Sequence, residues 1–133
     1  MRMIKTLVVM LAGIALIVPA LVFSAAEEHK GTIVGHKCAH LQTLCPLENL
    51  EEHVVNEPDF VLVKADGSVH TLHNLPRDTK VRHVGQTVLI TGVYDENTKS
   101  IYVNKFDNEE GDKIWSWEQQ TKEGRPFYGL GLK

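Results

Sequence analysis

None of the short signatures that carry common catalytic chemistry occurs in these 133 residues. There is no Gly-x-Ser-x-Gly elbow, phosphate loop, His-Glu-x-x-His or dinucleotide fingerprint, so the enzyme classes built on them are excluded. The adjacent acids Glu51-Glu52 and Glu109-Glu110 read as solvated surface charge rather than as an acid–base pair. Cys-x-x-Cys is missing, which removes thioredoxin-type redox chemistry, Cys-x-x-Cys-His haem attachment and zinc-finger spacing together. Basic residues are also scarce, 14 Lys and Arg against 17 Asp and Glu. A chain of that balance lacks the clustered cations that phosphate backbones need, so nucleic acid is not an expected partner. No internal repeat or low-complexity segment stands out.

What the chain does have begins at its start. Arg2 and Lys5 precede an uncharged, almost wholly apolar run, "TLVVMLAGIALIVPALVF", and then "SAA". A basic region, an apolar region and small residues at Ser24 and Ala26 describe a secretory signal peptide over residues 1–26. Pro19, a helix breaker near the end of the run, favours cleavage over retention as a membrane anchor. Membrane attachment is expected only if that segment stays uncleaved. Cleavage after Ala26 leaves 107 residues, one domain, and lowers the basic count to 12 against 17 acids, a net charge of -5. The expected address is periplasmic or extracellular, where paired cysteines tend to oxidise.

The mature region reads mainly as strands. "GTIVGH" is short and β-branched. "DFVLVKADGSVHTLHNL" predicts a hairpin that turns at Asp66-Gly67, and "QTVLITGVYDENTKSIYVNKFD" predicts a second one that turns over residues 95–99. Between them, "CPLENLEEHVVNEPD" has Leu47, Leu50 and Val54 at helical spacing, with Pro46 and early glutamates, which predicts one helix over about residues 46–55. The connector "NLPRDTKVRHVG" reads as loop. Residues 108–133 are polar, turn-rich and dotted with aromatics, a C-terminal tail after a barrel domain spanning 27–107.

Five strands and one helix in so small a domain predict a closed or nearly closed barrel, which hides its sheet edges. The segments "GTIVG", "FVLVKADGSVHTL" and above all "HVGQTVLITGVYDENTKSIYVNKF" resemble small exported bacterial OB-fold-like domains, over residues 31–106. That resemblance implies a five-stranded OB-like barrel with a ligand-binding face. The helix expected between the first two strands departs from the OB order, which places it between the third and fourth. An SH3-like or other small β-barrel therefore stays open.

Two cysteines and two of the seven histidines fall in "GHKCAHLQTLC", residues 35–45. In an oxidising compartment Cys38 and Cys45 predict a disulfide that staples the loop, with an entropic gain on the order of 2 kcal/mol. A straight helix would hold their Cα atoms about 10.5 Å apart, beyond the roughly 7 Å limit for a bridge. The staple therefore requires this stretch to bend. The competing reading is a zinc or copper site made by His36, Cys38, His40 and Cys45, because His36, Cys38 and His40 would share one side of an extended chain. His70 and His73, three apart on a strand, face opposite ways and make poor co-ligands. Collectively the histidines predict sensitivity to mild acid. In the tail, Trp115, Trp117, Phe127 and Tyr128 are candidates for a partner-docking surface or for completing the core.

The expectation is a non-enzymatic exported domain that binds an envelope protein or a small ligand. A metal-binding protein and a structural subunit that self-associates through strand edges or its tail are the alternatives.

Overall fold

The computed structural model describes residues 25–128, so residues 1–24 of the expected signal segment lie outside it. Six strands form one sheet: β1 (Glu27–Gly35), β2 (Phe60–Val63), β3 (Val69–His73), β4 (Thr87–Asp95), β5 (Ser100–Asn108) and β6 (Lys113–Ser116). Four helices are interspersed: α1 (His36–His40), α2 (Leu50–Asn56), α3 (Arg77–Arg82) and α4 (Trp117–Tyr128). A turn of 3-10 helix, Leu47–Asn49, leads into α2. The fold is mainly β. Among the described residues no helix is long and apolar enough to cross a membrane.

Both expected hairpins form, and for the expected reasons. Gly67 takes φ +82° at the β2–β3 turn, which L side chains resist, and the Asp66 carboxylate accepts the Ser68 amide at 2.9 Å. At the β4–β5 turn the Asp95 carboxylate accepts the Asn97 amide at 2.9 Å. The long strand β1 serves two partners. Residues 27–32 pair with β4, and residues 32–35 pair with β2. β3 then meets the first residues of β5 in parallel, with Thr71 opposite Ser100 and His73 opposite Tyr102. The order β1-β2-β3-β5-β4 returns to β1, and the sheet closes in a ring. β6 pairs with the second half of β5, where β3 no longer reaches. Register slips by a residue between Thr91 and Gly92, and a Cβ on Gly92 would press on the Tyr102 carbonyl and lie 2.7 Å from Ile101. Glycine is what lets the two strands approach at that bulge.

Ile33, Phe60, Leu62, Val88, Ile90, Ile101, Val103 and Phe106 are fully buried and make the core. Burial on that scale stabilises by about 1.5–3 kcal/mol per large side chain. Three charged residues, Glu57, Lys80 and Asp107, are buried as well. Lys80 is 3 % exposed, and its Nζ sits 2.9 and 3.0 Å from the Asp59 oxygens and 3.0 Å from the Leu72 carbonyl.

The sequence predicts one helix and the molecule has more. α2 with its preceding 3-10 turn occupies the expected place. α1, α3 and α4 are additions. α3 lies in the stretch expected to be loop, because its inward position is a lysine and no apolar stripe marks it. The tail is part strand and part helix. Residues 113–116 form β6, and the chain then turns into α4 at Trp117. β6 pairs with the second half of β5, so the sheet includes residues 113–116.

Candidate metal centre

The chain leaves β1 at Gly35 and winds at once into α1, which has no capping side chain of its own. The missing acceptor comes from 20 residues away. Glu57, just past the end of α2, takes the Lys37 amide on Oε2 at 2.7 Å and the Cys38 amide on Oε1 at 3.4 Å. A carboxylate at the positive end of a helix has the favourable sign. Gly35 makes the approach possible, since a Cβ there would lie 2.6 Å from the Glu57 carboxyl carbon. Arg77 holds the other side of the arrangement. Its guanidinium donates to the carbonyls of Val54 (2.6 Å) and Glu57 (2.9 Å), and it stands 5.1 Å over the Phe60 ring.

After one turn the helix stops. Gln42 adopts φ +54°, the Thr43 amide bonds back to the Cys38 carbonyl at 3.0 Å, and the chain reverses. Cys45 thereby returns beneath α1, where the Gly35 amide donates to its Sγ at 3.1 Å. Cys38 and Cys45 lie 3.2 Å apart as free thiols. That is contact rather than a bond of about 2.05 Å. The bend that a staple requires is present, while the expected disulfide is an adjacent thiol pair. Cys38 Sγ also lies 3.4 Å from Glu57 Oε1 and 3.9 Å from His53 Nδ1. One ligand atom each from Cys38, Cys45 and Glu57 falls within 4.8 Å of the others, and all three residues are buried.

This places two thiols and a carboxylate together, and among the described residues no ion pair relieves them. The Cys38 thiol is pushed up to about 12, first by burial, then by its Cys45 and Glu57 neighbours. A thiol so held is protonated at neutral pH and is a poor nucleophile. A cleft of about 270 Å³, lined by Lys37, Cys38, Leu41, His53, Asn56 and Glu57, reaches the cluster.

The four ligands expected from sequence are therefore divided. His36 and His40 turn away from the thiols, because residues 36–40 are helical and the alternation of an extended chain does not apply. Cys38 faces inward with Ala39, whereas His36 and His40 remain accessible. Two further groups, Glu57 and His53, were not singled out from sequence. Their signal was present as a His-x-x-x-Glu spacing at the end of a helix, which puts both on one face.

The other candidates lie elsewhere. Trp115 on β6 packs against the core, and its Nε1 donates to Gln120 at 2.6 Å. Trp117 is 42 % exposed with its ring 6.5 Å from that of Trp115. The side chains of Phe127 and Tyr128 lie outside the described residues. His70 is buried and His73 exposed, the opposite facing that their spacing predicts. Searches of protein-family models, curated proteins and solved structures return no match to this chain.

Proposed function

We propose that this chain is an exported, OB-like binding domain whose functional centre holds one zinc ion on Cys38, Cys45 and Glu57. The observation that carries the reading is the convergence of those three buried groups from three separate segments, two of which, Cys38 and Glu57, line an accessible cleft. Two thiolates and a carboxylate form a borderline-soft donor set suited to zinc. Tetrahedral zinc places its ligand atoms about 3.5–3.8 Å apart. The separations of 3.2 and 3.4 Å from Cys38 to Cys45 and Glu57 need only small shifts to meet this, and the three ligand atoms already lie within 4.8 Å of one another. His53, which lines the cleft and stands 3.9 Å from Cys38 Sγ, would have to turn toward the other two ligands to become a fourth, and otherwise water takes that position. The Gly35 amide on Cys45 supplies the second-shell hydrogen bond that thiolate ligands favour. Two features support the OB-like part of the reading: the ring order β1-β2-β3-β5-β4, and α3 between the third and fourth strands. The address rests on the signal-peptide pattern of residues 1–26.

The test is zinc uptake by the reduced, purified protein, with cobalt as a spectroscopic substitute. One equivalent per chain is expected, with thiolate-to-cobalt absorption in the near ultraviolet. Cys38→Ser or Cys45→Ser should remove that absorption, and Glu57→Gln should weaken binding roughly tenfold or more. Reduced protein that gives no thiolate absorption would overturn the proposal.

A second reading is favoured by the 3.2 Å contact of the two thiols. In an oxidising envelope they would close as a disulfide, and the domain would bind its partner through another face. Protein taken directly from the envelope would then show a mass deficit of two hydrogens and no metal.

A further inference from the structure

His36 and His40 are the first and last residues of α1. Residues four apart on a helix share a face, and here their Nε2 atoms are 3.1 Å apart with the rings inclined at 79°. His36 is half-buried and His40 exposed, so solvent reaches the pair. Neither ring hydrogen-bonds to any other side chain among the described residues.

A close, solvent-facing imidazole pair has a specific geometric meaning. Two nitrogens bound to one ion at about 2.0–2.1 Å stand about 3.1 Å apart when they subtend roughly 95–100° at the metal. That angle lies between the ideals for octahedral and tetrahedral ions. The separation thus suits chelation, with the rings, now joined by an N–H···N hydrogen bond, turning so that both nitrogens face one ion.

We propose that His36 and His40 form a second, exposed metal site, a two-nitrogen clamp for a divalent transition-metal ion with zinc as its first occupant. Imidazole nitrogen suits zinc, nickel and copper(II), and water fills the remaining positions. The clamp spans all of α1, a helix of five residues that is marginal in isolation. An ion bound across its two ends ties the helix shut and stabilises the folded chain by mass action. Cys38 lies on the opposite face of the same helix, so the two sites share one element but no ligand. This inference does not rest on the buried thiol site.

Calorimetric titration of zinc chloride into the purified C38S/C45S protein tests it, because that variant keeps the clamp and loses the thiols. One equivalent per chain is expected, together with a rise in thermal midpoint as zinc is added. H36A or H40A in the same background should weaken binding roughly tenfold or more and abolish the midpoint shift. H73A, which removes another exposed imidazole, should change neither. If C38S/C45S does not fold, the oxidised wild-type chain serves equally, since its thiols are closed to metal. Binding that survives in H36A/H40A, or no binding in either parent, overturns the clamp. Neither result bears on thiolate absorption in the reduced protein, so the two sites fail separately.

Discussion

At the scale of single residues, two buried imidazoles set the response to acid. His29 and His70 are about 95 % buried, and both keep a ring nitrogen without a partner among the described residues. Each also approaches the Tyr94 ring. Burial first and then the nearby Lys64 ammonium hold both below the ordinary imidazole range, and His29 adds to the effect on His70. The sign follows directly. The unfolded chain takes up protons near pH 6.5, while the folded chain resists them, so the unfolded state binds more protons as pH falls. Stability is fully present above about pH 6.5 and is lost as pH drops below it. Urea midpoints should be level from about pH 8 to 7 and fall toward pH 5. His70→Phe should remove part of that fall. A midpoint that stays level down to pH 5 would sink the argument.

At the scale of elements, sequence legibility follows where the information sits. The hairpins were legible because Asp-Gly and strict alternation are local signals, held within a dozen residues. α3 was not, because its buried position is Lys80, whose charge is met by Asp59 from before β2. α1 was not, because its cap comes from Glu57 across the fold rather than from a neighbour. The same distance hid the site. The two cysteines announce themselves, but the carboxylate that joins them is placed by the end of α2 and anchored by Arg77. Gly35 is the residue on which this joint turns. Gly35→Ala would put a methyl group 2.6 Å from the Glu57 carboxyl carbon. Glu57 lines the cleft, and the expected outcome is that its side chain turns into it, so that the fold survives while α1 loses its cap. The expected cost is about 1 kcal/mol in urea denaturation, with zinc affinity at the thiol site lowered roughly tenfold or more. An unchanged affinity would mean that Glu57 is a cap and not a ligand.

At the scale of the whole molecule, β5 decides how the ring is finished. Its first residues close the ring against β3, and its second half would be an open edge if β6 did not cover it. Trp115 on β6 sits opposite Phe106 in that pairing and adds to the core. The segment after residue 108 therefore acts as an edge strand with a helix behind it. A chain ending at Asn108 retains every strand of the ring but exposes a run of unpaired amides and carbonyls from about Lys105 onward. Exposed edges recruit other edges. The truncated protein should keep its β-sheet circular dichroism, unfold at lower urea than the full chain, and elute at a mass that rises with concentration. Adding back a peptide covering residues 109–124 should reverse the association by re-forming the β5–β6 pair. A monomer of unchanged stability would show that β6 protects nothing. A chain that fails to fold would show instead that ring closure depends on the strand outside it.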